Sequence, residues 1–145
     1  MNSNLPDKQV INLAFKEKGR SDVVKIDAYT ISNGARLKLI FESTNSPWRQ
    51  GVWLSTTGRL VINGQENSSF QIWQDSAPTE IAIECFTTSN VLQVYNIWDK
   101  GNGRESQSWT SGMLIEELKN GRRYSCNDVG FETAFDKLVF RVEGG

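Results

Sequence analysis

Apolar residues recur at every second position along most of this chain. Ile11, Leu13 and Phe15 alternate with Asn12, Ala14 and Lys16, and Val24, Ile26 and Ala28 alternate with Lys25, Asp27 and Tyr29. The same spacing runs through Leu37, Leu39 and Phe41, through Ile81, Ile83 and Cys85, and through Leu138, Phe140 and Val142. A period of two sends successive side chains to opposite faces of an extended strand, so one set packs on a core while the other meets water.

The punctuation between these runs has matching chemistry. Asn33-Gly34, Asn63-Gly64 and Asn120-Gly121 each separate two strand-like runs. Asn-Gly favours the type I′ turn, whose two central residues need positive φ and whose twist suits paired strands. Thr57-Gly58 predicts a further tight turn between Val52-Trp53-Leu54 and Leu60-Val61-Ile62. Further strands are expected over 70–73, 91–97, 113–118 and 122–126, with 113–118 ambiguous between strand and helix. No segment has room for the crossover helices of a parallel α/β fold. The reading is an all-β, single-domain, two-sheet antiparallel β-sandwich of jelly-roll type. It has about ten short strands and at most one short helical turn, near 128–135. The one domain spans 1–145, with 1–8 and 143–145 as frayed tails. A chain of 145 residues buries roughly 68–70% of its unfolded surface, enough for a core without disulfides or a structural metal.

Charge narrows the partners. With 16 basic and 17 acidic residues the formal net charge is −1, which leaves no electrostatic footprint for nucleic acid. The longest apolar runs are triplets, far short of the ~20 residues of a membrane-spanning helix. The opening Met1-Asn2-Ser3-Asn4-Leu5-Pro6-Asp7 lacks the basic start and apolar run of a signal peptide. A cytoplasmic protein without membrane insertion is the expectation. Cys85 and Cys126 fall in strands and read as reduced, buried residues; a disulfide would require facing strands and an oxidising compartment.

The chain contains no histidine. Ser-His-Asp and Cys-His catalysis are therefore excluded, with every zinc or iron site built on imidazole. Two cysteines do not make a four-thiolate site. Carboxylate chemistry survives, and Glu84 and Glu116 in predicted strands are the candidates for a glycosidase-type pair. No motif selects that pair, so a non-enzymatic protein is expected, with the glycosidase as third reading. Gly101-Asn102-Gly103-Arg104 lacks the third glycine of a dinucleotide fingerprint and the Gly-Lys-Ser/Thr ending of a P-loop. Asp99, Asn102 and Glu105 offer oxygen ligands for Ca2+, but the EF-hand pattern is absent and a solvated loop fits better. Asn67-Ser68-Ser69 is an N-glycosylation acceptor that matters only in a secreted chain.

The tryptophans carry the positive signal. Trp53 and Trp73 lie among apolar strand neighbours and read as core or sheet-face packing. Trp48, Trp98 and Trp109 lie among polar, loop-like residues. An indole flanked by Asn, Asp, Gln or Arg offers an apolar face to a sugar ring and hydrogen bonds to its hydroxyls. The same combination suits a protein hot spot, and a tryptophan folded back over the core would serve neither. In Arg122-Arg123, strand alternation sends the two side chains to opposite faces. A structural ion pair with Glu117 or Asp136 is the preferred reading; the alternative is that the other arginine holds an anion bidentately.

The pattern resembles carbohydrate-binding modules and small lectins only as a sandwich with loop tryptophans, and no residue role follows from that resemblance. The leading reading is a non-enzymatic module that binds a sugar or glycoconjugate through Trp48, Arg49, Trp98, Asp99, Asn102, Arg104 and Trp109. The alternative is an intracellular interaction or structural subunit with a protein partner. In a homo-oligomer, Trp48 or Trp98 would lie in the subunit contact.

Overall fold

A computed structural model describes residues 8–144 of the chain. Its elements in order are β1 (Val10–Ile11), α1 (Leu13–Glu17), β2 (Val24–Thr30), β3 (Arg36–Thr44), β4 (Arg49–Ile62), β5 (Gln65–Trp73), β6 (Glu80–Asp99), β7 (Arg104–Ser106), β8 (Gly112–Leu118), β9 (Gly121–Asn127) and β10 (Leu138–Gly144). The all-β class and the ten strands agree with the alternation. The arrangement differs from two stacked sheets.

All ten strands belong to one sheet, in which β2, β8, β9, β10, β3 and β6 follow one another and a β2–β6 pairing closes the ring. β6 makes this closure possible because it is 20 residues long. Its first stretch pairs with β3 (Arg36 opposite Glu84). Its later stretch pairs with β2 on the same edge (Asp27 opposite Val94). β4 runs along the other edge, from Val61 opposite Glu84 to Arg49 opposite Asp99, and β5 lies outside β4. The result is a six-stranded closed barrel with a flap of extra strands. A strand long enough to hold both neighbours on one edge removes the need for a second sheet.

Several local expectations change for physical reasons. Thr57-Gly58 is a β-bulge inside the single strand β4, with Gly58 at φ 130 and its missing Cβ only 2.2 Å from the Phe86 carbonyl oxygen. Asn63-Gly64 does form the expected turn, with φ of 53 and 79. Asn33 does not share that geometry; Gly34 alone is at φ 87, and β2 and β3 do not pair with each other. The β8–β9 turn falls one residue early, on Lys119 and Asn120, and Gly121 begins β9. A Cβ at Gly121 would stand 1.9 Å from the Val142 carbonyl oxygen, so close approach, and not φ, demands glycine there.

The run expected as a strand over 11–15 breaks into β1 and a five-residue helix. Asn12 caps that helix by accepting the Phe15 amide hydrogen bond at 3.1 Å. Phe15 then packs against Phe131 and Phe135, at ring distances of 5.1 and 5.6 Å, in a small second core. The segment 128–135 holds no helical turn, and 113–118 is strand. Of the expected frayed tails, residues 1–7 and 145 lie outside the described residues, while Glu143 and Gly144 complete β10.

The main core is the barrel interior, filled by Leu39, Leu92, Val94, Leu138, Phe140 and Val142, all 0% exposed. Each such side chain contributes roughly 1.5–3 kcal/mol by leaving water. Tyr124 stacks on Phe140 at 4.8 Å. Cys85 and Cys126 are both free and buried. Burial, with Glu84 nearby, pushes the Cys85 thiol up to about 11. Burial and then the Asp128 charge push Cys126 well above the usual thiol range.

Candidate functional site

The register of β4 on β6 sorts the tryptophans. Gln50, Val52 and Leu54 share a face with Trp98, Asn96 and Val94, whereas Arg49, Gly51 and Trp53 share the opposite face with Asp99, Ile97 and Tyr95. The first face looks to the core, where Asn96 Nδ2 donates to the Asn127 carbonyl at 3.0 Å. Trp98 therefore lies inside at 0% exposure. The expectation that it reads a ligand from a loop is corrected: it occupies an interior position of a strand.

Beyond Trp98, four chain segments meet around a second interior group, Asp128, which is 2% exposed. Its Oδ2 accepts from Ser46 Oγ at 2.9 Å and Gln50 Nε2 at 3.1 Å. Oδ1 accepts from the Val129 amide at 2.7 Å, and its carbonyl accepts from Ser108 Oγ at 3.1 Å. Asn127 Nδ2 donates to the carbonyls of Thr110 and Gly130, each at 2.8 Å. Asn12 Nδ2 donates to the carbonyls of Trp109 (3.0 Å) and Ser111 (2.7 Å). These bonds lock the loops 45–48, 106–111 and 127–130 and the start of α1 into one frame.

Exposed side chains stand on that frame. Trp109 is 70% exposed, Leu13 66% and Val129 42%. Trp48 is half-buried, with the Lys100 ammonium 4.5 Å above its ring. Beneath them, Gln50 Oε1, Trp98 Nε1 and Asn127 Oδ1 are buried without a hydrogen-bond partner among the described residues. The Gln50 and Asn127 amide orientations follow from their bonds, since both Nε2 and Nδ2 face acceptor oxygens. Buried polar atoms of this kind take ordered water as partner.

The outer face of β4 and β6 carries a second arrangement. Trp53 is half-buried there, stacked on Tyr95 at 5.8 Å and 17°, with the Arg104 guanidinium 4.8 Å over the indole. Trp53 Nε1 donates to Ser55 Oγ at 3.2 Å, which donates to Gln93 Oε1 at 3.0 Å. Arg49 lies 4.5 Å over the Trp73 ring and binds Asp75 Oδ1 at 2.8 Å. A Cβ at Gly51 would be 2.9 Å from that Trp73 ring, so the glycine lets the indole lie over the strand. Burial raises the Tyr95 hydroxyl pKa, opposed by the Arg104 charge and hydrogen bonding from Arg104, Gln107 and Ser106.

Of the seven expected ligand residues, Arg49, Asp99 and Arg104 are register neighbours across β4, β6 and β7. Trp48 adjoins them, and Asn102 is exposed in the β6–β7 turn. Trp109 stands apart on its own loop. Asp99 Oδ1 accepts from the amides of Gly101 (2.6 Å) and Gly103 (3.2 Å), and Glu105 faces Lys100 at 3.7 Å. No cluster of three acidic or thiol groups placed for a metal occurs among the described residues.

Glu84 faces Arg36 at 3.6 Å and Glu116 faces Arg123 at 3.0 Å, so these two carboxylates do not form a pair. Both arginines of Arg122-Arg123 are in ion pairs, with Asp27 and Glu117 and with Glu42 and Glu116 respectively. The structural reading agrees with these pairs, and the alternative of one arginine left for an anion does not. A groove of 380 Å³ lined by Arg36, Lys38, Val61, Asn63 and Glu84 contains none of the seven. Sequence reasoning missed Trp53 and Tyr95 because their neighbours in sequence are apolar. The parity shared by Arg49, Gly51 and Trp53 was the signal.

No family model and no curated protein matches this chain. Among solved structures it is similar to the Chromobacterium violaceum lectin CV2L in complex with alpha-methyl-fucoside, with a TM-score of 0.44 and 10% identity over 81% of this chain and 95% of that one. No residue role or ligand is carried over from so distant a likeness. No helix among the described residues is long and apolar enough to cross a membrane.

Proposed function

We propose that the protein is a non-enzymatic binding module, a single domain of a reducing compartment, that takes a saccharide against the exposed Trp109, with Trp48, Asn102 and Arg104 as further ligand residues. The observation that carries this reading is Trp109 itself. Its indole is 70% exposed on a loop whose backbone is held by Asn12, Asn127 and Ser108. A large apolar side chain kept in water forgoes roughly 1.5–3 kcal/mol of burial, and a loop held this firmly presents it to a ligand at little further entropy loss. The two free, buried thiols suit a reducing compartment.

A glycan-array screen with and without calcium tests the reading. Binding that Trp109→Ala abolishes, with the thermal midpoint kept, is the expected result; a blank array in both conditions would remove it. A second reading, a protein interface, is favoured by the exposure of Leu13, Val129 and Ile11 (38%) together with Trp109, since contiguous apolar surface marks association sites. A blank array with a solution mass of twice the chain, reduced to one by Leu13→Ser, would establish that reading instead.

A further inference from the structure

We propose that Arg104, stacked on Trp53 and lacking an ion-pair partner among the described residues, is a subsite for a carboxylate, so that the ligand is an acidic saccharide. The saccharide part rests on the function proposed above; the anion subsite rests on its own geometry. The seven other arginines, Arg20, Arg36, Arg49, Arg59, Arg122, Arg123 and Arg141, each face an acidic side chain within 4.0 Å. Arg104 does not, although Asp99 is its register partner across β6 and β7. The reason is local. Asp99 Oδ1 is engaged by the amides of Gly101 and Gly103, which hold the β6–β7 turn.

The guanidinium is nevertheless held in place. It lies 4.8 Å over the Trp53 ring, beside the Tyr95 hydroxyl, on an exposed side chain. A guanidinium held over an aromatic ring by cation–π attraction still has N–H donors to offer, and their fork matches the two oxygens of a carboxylate. Gln107, exposed, hydrogen-bonds the same Tyr95 hydroxyl.

The surrounding charge decides between a single carboxylate and a polyanion. Arg49, Lys100 and Arg104 are balanced by Asp75, Asp99 and Glu105, so the region has no net positive field. A polyphosphate chain needs several unpaired cations along a track. One guanidinium without an ion-pair partner among the described residues, on an aromatic platform, takes one carboxylate.

The test compares trigalacturonate with galactotriose, followed by NMR of the Trp53 indole N–H, in the wild-type chain and in Arg104→Gln. The expected result is tighter binding of the uronate than of galactotriose and a roughly ten- to hundredfold loss of uronate binding in Arg104→Gln, larger than any loss for galactotriose, with the thermal midpoint kept. Equal binding of both sugars, unaffected by Arg104→Gln, would overturn the carboxylate subsite while leaving the saccharide reading intact. If neither sugar binds, sodium acetate is titrated instead. An indole shift that Arg104→Gln removes supports the subsite and defeats the saccharide reading, and no shift overturns the subsite itself.

Discussion

Strand β9 starts beside one buried carboxylate and ends beside another, and the two are accommodated by different chemistry. At its start, Asp27 is 0% exposed and accepts from Arg122 Nη1 at 3.0 and 3.1 Å, Tyr124 hydroxyl at 2.6 Å and Gln9 Nε2 at 2.8 Å. Burial opposes the charge on Arg122, yet Asp27 and Glu117 hold it charged and its pKa moves up. Burial and the Asp27 charge push the Tyr124 hydroxyl well above its ordinary value. The charge is compensated inside the protein. At the end of β9, among the described residues, Asp128 is held only by neutral donors from Ser46, Gln50 and the Val129 amide, and three polar atoms nearby find no partner. A closed ion-pair network stabilises one packing. The neutral frame instead leaves hydrogen-bonding capacity beneath exposed side chains, as a binding end does.

The contrast is broken most severely at Asp27. Asp27→Ala leaves the buried Tyr124 phenol without its acceptor and the half-buried Arg122 with Glu117 as its remaining partner, and should lower stability by about 2–4 kcal/mol in urea unfolding; a loss below about 1 kcal/mol would make the two ends equivalent. Asp128→Ala leaves only neutral donors unpaired and should lower stability by about 1–3 kcal/mol. It should also loosen the Trp109 loop, seen as faster hydrogen exchange at the Val129 and Gly130 amides.

Alkaline titration should have a smaller effect. The Cys85 thiol titrates at about 11 in the fold against 9.0 unfolded, so the native state holds its proton more tightly. That contribution is complete below pH 9 and fades as pH rises toward 11, a loss of about 1–2 kcal/mol. A flat stability profile over that range would show the thiol to be solvated. Smallest of all, Trp109→Ala should change stability by less than about 0.5 kcal/mol while abolishing ligand binding. A drop of several kcal/mol would make Trp109 part of the packing and erase the distinction between the ends.

The strand content of this fold was legible because alternation is a local property. Leu37, Leu39 and Phe41 point one way whatever β3 pairs with. The turn at Asn63-Gly64 was legible for the same reason. Of the candidate ligand residues, Arg49, Asp99 and Arg104 are register neighbours and Trp109 is exposed on a separate loop. Trp98 was misplaced because its polar neighbours Asp99 and Lys100 suggested a loop. In fact β6 continues to Asp99, and its parity with Val94 and Asn96 sends the indole inward. Trp53 was read as core or sheet-face packing and does pack on the sheet, stacked on Tyr95, but its apolar neighbours do not say which face it takes.

By itself, then, the sequence determined an all-β chain and the absence of imidazole chemistry, because both depend on residue types and their spacing. Barrel closure, the partners of Asp27 and Asp128, and the freedom of Arg104 were decided only in three dimensions. Each depends on which distant strands share an edge. The length and bend of β6 bring β2 and β3 to one side of it, and the ring they complete sets what every interior side chain meets.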